Sequence, residues 1–74
     1  MKLPRNISGK DMLAVLVKHY GWEVHRREGS HVTLKKEGIR EIITIPLHDE
    51  LKPGTLSSIL RKSGIEREDF LSKL

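Results

Sequence analysis

The residue pattern predicts a small α+β fold. It is a helix, three antiparallel strands and a second helix in the order α-β-β-β-α, with the helices on one face of the sheet. Apolar residues recur at helical spacing towards both ends of the chain. Between them, three short runs alternate at strand period, and their alternation pairs into hairpins that gather one apolar face. The 74 residues suffice for a single domain spanning residues 1–74. Such a domain buries only roughly 60–65% of the surface of its unfolded chain, so any site is expected on a groove, a sheet face or a shared surface.

Ser8 followed by Asp11 resembles a capping box with Asp in place of Glu. Leu13, Leu16, Val17 and Tyr20 then fall on one helical stripe, and Gly21 closes a helix expected from about Gly9 to Tyr20. A first strand is expected from Trp22 to Arg27, with Trp22 and Val24 inward. A second carries Val32 and Leu34 inward, alternating with His31, Thr33 and Lys35. The third, Glu41 to Leu47, has Ile43, Ile45 and Leu47 in phase. Pro53 suits the first turn of a second helix that runs to Ser63 and ends at Gly64, with Leu56, Ile59 and Leu60 as its stripe. A last short helix is expected from about Glu66 to Lys73, with Phe70, Leu71 and Leu74 inward.

Pairing parity constrains the hairpins, because directly opposed residues share a face. A two-residue Gly29-Ser30 turn without a bulge sets Val24 against Lys35 and would bury a lysine. A three-residue loop from Glu28 to Ser30, or a bulge, is therefore expected. The loop sets Val24 against Leu34, Arg26 against Val32, His31 against Arg27 and Thr33 against His25. In the second hairpin, a Gly38-Ile39 turn sets Leu34 against Ile43, Val32 against Ile45 and Glu37 against Arg40. The opposite sheet face then carries His25, Arg27, His31, Thr33 and Lys35, and is polar and mostly basic.

The chain holds 14 Lys and Arg against 10 Asp and Glu, a formal charge of +4, with a pI near 9.7. That balance favours an anionic partner such as nucleic acid, an acidic protein or anionic lipid. The absence of cysteine excludes disulfides, thiolate nucleophiles and Cys-type zinc sites, and fits a reducing, cytoplasmic setting. Met1-Lys2-Leu3-Pro4-Arg5 lacks the apolar run of a signal peptide, and no stretch is long enough to span a membrane.

Histidine is the side chain suited to giving or taking a proton near neutral pH. His31, beside the Gly29-Ser30 turn, is the leading catalytic candidate. His48, in Pro46-Leu47-His48-Asp49, either hydrogen-bonds a loop carbonyl or acts as a second proton-transfer group. His19 suits the last turn of its helix, where a cation complements the helix dipole, and His25 reads as a solvated surface residue. A metal site from His31, His48 and Asp49 lacks recognisable ligand spacing. Ser30 as a nucleophile fails on geometry, because neighbouring strand residues point to opposite faces. Pro53-Gly54-Thr55 is not a phosphate loop. Arg27 and Lys35 on the open face, and Lys52 ahead of the second helix, are the candidate phosphate-binding cations.

Taken together, several stretches resemble the HicA family of mRNA-interferase toxins. They are Leu3-Pro4-Arg5 with Ser8-Gly9-Lys10, Tyr20-Gly21-Trp22, Arg26 to Glu28 leading into Gly29-Ser30-His31, Thr44 to His48, Leu51 to Leu60, and Gly64-Ile65 with Glu68 to Leu71. The resemblance covers nearly the whole chain. It implies a fold like that of double-stranded RNA-binding domains, RNA cleavage, and inhibition by a HicB antitoxin. The family's essential histidine carries over to His31. Family members often have a second histidine or another polar residue directly after that position, whereas here it is Val32, which strand phase buries.

The expected chemistry is metal-independent and calls for no cofactor. His31 takes the proton of a ribose 2′-OH, and the oxyanion attacks phosphorus to give a 2′,3′-cyclic phosphate and a free 5′-OH. Cations stabilise the phosphorane, while DNA lacks the hydroxyl. An RNA-binding module of the same fold, without cleavage, is the alternative. A protein-interaction domain with a basic surface is a third reading.

Overall fold

The computed structural model describes residues 7–74; the segment Met1-Lys2-Leu3-Pro4-Arg5 lies outside them. Helix α1 spans Gly9–Tyr20, strands β1, β2 and β3 span Glu23–Glu28, His31–Lys36 and Ile39–Pro46, and helices α2 and α3 span Pro53–Ser63 and Arg67–Ser72. The strands form one antiparallel sheet in the order β1-β2-β3. This is the expected α+β fold, with a third, terminal helix.

The α1 cap forms as the sequence predicts. Asp11 N–H donates to Ser8 Oγ at 3.0 Å and Ser8 N–H to Asp11 Oδ2 at 3.4 Å. At the other end Gly21 takes φ +75°, a left-handed conformation that costs glycine little. The reversal places Trp22 in the core directly after the helix, so β1 begins one residue later than predicted.

One face of the sheet buries Val32, Leu34, Ile43 and Ile45. Helices α1 and α2 pack against β3 on that side. Leu56, Ile59 and Leu60 of α2 and Phe70 of α3 complete the core with Met12, Val15, Leu16 and Trp22. Each fully buried Leu, Ile or Phe side chain contributes on the order of 1.5–3 kcal/mol over exposure. Two ties fasten α3: Tyr20 Oη–H donates to Asp69 Oδ2, and Arg67 Nη2–H donates to Ser57 Oγ at 2.9 Å.

Three expectations about burial are corrected, and both hairpins depart from the expected pairing. The buried stripe of α1 is Met12, Val15 and Leu16, while Leu13 and Tyr20 are half-buried and Val17 is exposed. The helix is rotated because its first turn is pressed onto the end of β3 at Gly9, as described below. Val24 is 54% exposed rather than buried, because β1 is the edge strand away from β3, against which α1 and α2 chiefly pack. Leu74 is exposed because α3 stops at Ser72.

The first hairpin takes the bulge, one of the two expected solutions, so the three-residue loop and its pairings are corrected. It keeps a two-residue Gly29-Ser30 turn and satisfies parity with a bulge between Val24 and Arg26. Val24 faces Leu34 as expected, but Arg26 pairs with Thr33, Arg27 with Val32 and Glu28 with His31. In the second hairpin Leu34 faces Ile43 and Val32 faces Ile45 as expected, whereas the turn is Glu37-Gly38 and Lys36 faces Ile39. A register irregularity between Leu34 and Lys36 absorbs the difference without changing the face of either isoleucine.

Candidate catalytic site

His31 opens β2 directly after the Gly29-Ser30 turn, and its side chain is exposed. Gly29 has φ +56°, the left-handed conformation required at the first central position of a tight hairpin turn. His31 pairs across the sheet with Pro46, the last residue of β3, so the chain leaving β3 runs beside the turn. Leu47 N–H donates to Ser30 C=O at 2.6 Å and fastens the two together.

His48 arrives through that crossing. Its ring stands 6.5 Å from that of His31, centroid to centroid, with the planes at 73°. Both side chains are exposed, and neither imidazole makes a side-chain hydrogen bond to another described residue.

The backbone around His48 is held from the far side by α1. Gly9 N–H donates to His48 C=O at 2.9 Å, and Leu51 N–H donates to Ile7 C=O at 2.8 Å. The approach is close enough to exclude a side chain at position 9: a Cβ there would lie 2.1 Å from Pro46 O and 2.7 Å from Leu47 Cα. The first residue of α1 therefore acts as a backing for the Pro46-Leu47-His48 segment. Sequence reading treated Gly9 only as a helix start, and no motif on a single sequence signals such a contact.

The bulge changes which cation accompanies His31. Arg26, opposite Thr33, lies on the His31 face, and its Nε sits 3.3 Å from Glu28 Oε1. Glu28 is the residue directly across from His31. Arg27, expected to oppose His31, instead opposes Val32 and is exposed at the sheet edge. Sequence reasoning missed Arg26 and Glu28 at this site because the bulge that shifts their phase leaves no mark in residue type. Lys35 is exposed opposite Glu23, four residues along β2 from His31. Lys52 is the exposed N-cap residue of α2.

His25 falls at the bulge and His19 in the last turn of α1, both exposed. Among the described residues no three His, Cys, Asp or Glu side chains gather as a metal site would require. A depression lined by Ile7, Ala14, Val15, His19 and Leu74 lies on the helical side and includes neither His31 nor His48. No helix among the described residues is long and apolar enough to cross a membrane.

A helix-backed, three-stranded antiparallel sheet with paired imidazoles on its open rim defines a small α+β protein of the double-stranded RNA-binding-domain-like class. The family model for the HicA toxin of bacterial toxin–antitoxin systems matches residues 9–65. That span is most of the 74 residues, and the chain belongs to this family of toxins. It includes His31, His48, Arg26, Arg27, Lys35 and Lys52. No curated protein matches the chain.

Proposed function

We propose that the chain is a cytoplasmic, metal-independent endoribonuclease that cleaves mRNA, with His31 as general base. The observation that carries this reading is the exposed His31 ring on an open sheet rim, with a second imidazole 6.5 Å away. His31 takes the proton from a ribose 2′-OH. The 2′-oxygen attacks the adjacent phosphorus, forming the cyclic phosphate as the bond to the 5′-oxygen breaks. Arg26 shares the His31 face and is the cation best placed for charge developing on the phosphorane oxygens. Lys35 and Lys52 hold flanking phosphates, while Arg27, turned off the His31 face, is left at the sheet edge. General base catalysis of this kind contributes typically ~10²–10⁴-fold.

Membership of a toxin–antitoxin family supports a partner that silences the toxin. We assign that partner as a HicB-type antitoxin that brings carboxylates to the basic rim and covers His31. An uncovered imidazole with Arg26 on its sheet face, in a chain of formal charge +4, is complementary to such a surface.

The test compares wild type with His31→Ala on an RNA oligonucleotide in excess EDTA. Wild type should yield 2′,3′-cyclic phosphate and 5′-OH ends, and the variant should lose turnover while keeping RNA affinity. RNA left uncut by wild type in chelator would overturn the metal-free mechanism. Binding without cleavage under every condition would leave the RNA-binding module in its place.

A further inference from the structure

The cleavage proposed above leaves the departing 5′-oxygen in need of a proton. We infer that His48 is the general acid that supplies it, an inference that rests on the endoribonuclease reading. His31 and His48 come from different elements and converge on the same rim, with rings 6.5 Å apart and nearly perpendicular. One phosphate wedged between them can reach both. In-line attack puts the entering and leaving oxygens on opposite sides of phosphorus, so two separate proton-transfer groups are called for. Each needs hydrogen-bond reach of ~2.6–3.2 Å.

A structural role for His48 predicts a bond from its ring to a loop carbonyl. No such bond joins the ring to any described residue. The loop is fastened through backbone atoms instead: Leu47 N–H to Ser30 C=O, Gly9 N–H to His48 C=O, and Leu51 N–H to Ile7 C=O. The backbone that carries the exposed imidazole is thus fixed by bonds that do not use the ring, whose nitrogens have no hydrogen-bond partner among the described residues. The neighbouring charged groups serve less well. Arg26 is engaged by Glu28. Glu28 faces His31 within the sheet and pairs with Arg26. Asp49 follows His48 on the loop, and a carboxylate is acceptor-only when ionised.

The step balances. His31 removes the 2′-OH proton, the 2′-oxygen forms its bond to phosphorus, and the bond from phosphorus to the 5′-oxygen breaks. That oxygen takes the proton from the His48 imidazolium. His31 ends protonated and His48 neutral, and exchange with water at the exposed rings restores the starting state.

The experiment uses the full chain as wild type, His31→Ala, His48→Ala and His48→Gln. Each is assayed on an RNA oligonucleotide and on a ribonucleoside 3′-(p-nitrophenyl phosphate), whose nitrophenolate leaves without a proton. On RNA both His48 variants should lose ~10²–10⁴-fold in kcat. On the aryl ester they should stay within a few-fold of wild type, whereas His31→Ala should fail on both substrates. Full RNA cleavage by the His48 variants, or an equal loss on both substrates, would overturn the general-acid role. If wild type leaves both substrates intact, the endoribonuclease reading itself falls and this assignment with it. Unfolding midpoints matching wild type confirm that the backbone clamp survives, as expected for an exposed side chain.

Discussion

Gly9→Ala separates the folding role of the α1 terminus from the chemistry of the histidines. The added Cβ would lie 2.1 Å from Pro46 O, 2.7 Å from Leu47 Cα and 2.9 Å from the Pro46 carbonyl carbon. All three are backbone atoms, so no side-chain rotation relieves the clash. The helix end must retreat by roughly 1 Å to restore ordinary contact, which strains the 2.9 Å bond from Gly9 N–H to His48 C=O. Overpacking of this kind costs ~1–3 kcal/mol, and the lost hydrogen bond adds ~0.5–1.5 kcal/mol. Alanine recovers at most ~1 kcal/mol through helix propensity. The net expectation is a loss of about 1–3 kcal/mol, read as a lower urea midpoint at unchanged m-value. Cleavage should fall further than stability, because a 1 Å misplacement of a catalytic group can cost ~10²-fold. Gly54→Ala is the control: it is also helical, but its added Cβ would meet nothing within 4 Å. It should be neutral or slightly stabilising. A Gly9→Ala protein with the wild-type midpoint and wild-type cleavage would refute the claim that α1 backs His48.

Two further outcomes follow from the packing. Partial burial, the hydrogen bond to Asp69 and the charge of Asp69 push the Tyr20 phenol from 10.0 up to about 12. Because the folded value is the higher one, the stabilisation is whole below pH 10 and is lost as pH rises through about 12. The difference in urea midpoint between wild type and Tyr20→Phe should therefore hold constant below pH 10 and shrink above it; a difference that grows with alkali would contradict the Tyr20–Asp69 tie. Val24→Thr should change stability by no more than ~0.5 kcal/mol, since the side chain is 54% exposed on an edge strand. A multi-kcal loss there would mean that β1 is covered in solution.

The parts of the fold legible in sequence are those where one local rule acts alone. The α2 stripe of Leu56, Ile59 and Leu60, the Ser8–Asp11 cap and the pairing of Val32 with Ile45 all follow from period and parity. Parity also required the first hairpin to break regular pairing, but both a longer loop and a bulge satisfied it. The structure's bulge moves Arg26 to the His31 face and Arg27 off it. The face of α1 was unreadable for a different reason. Leu13, Leu16 and Val17 make as good a stripe as Met12, Val15 and Leu16, and the choice is made by a long-range contact at Gly9. His31 and His48 were each visible as candidates. Their meeting depends on His31 pairing with Pro46, which the expected Val32–Ile45 register already implied, and on Leu47 crossing to Ser30, which local residue patterns did not specify.

On the proposed endoribonuclease reading, the open rim also determines how RNA is gripped. A site without walls gains little from apolar burial, so binding rests on phosphate contacts and weakens with salt, with a slope of roughly −0.7 per phosphate neutralised on a single strand. Lys35 lies four residues from His31 along β2, or about 13 Å at the rise of an extended strand. It is too far to touch the phosphate that reacts at His31 and suited to one further along the chain. Lys35→Ala should therefore flatten the dependence of log kcat/KM on log salt by about 0.7 and leave kcat at saturating RNA unchanged. Arg26, two residues nearer on the same face, should behave differently: Arg26→Ala should lower kcat itself, because in the proposed mechanism its charge acts on the phosphorane oxygens. If Lys35→Ala instead lowers kcat with the salt slope intact, the strand distance no longer divides the two cations, and RNA must cross the sheet along a path that brings Lys35 to the reacting phosphate.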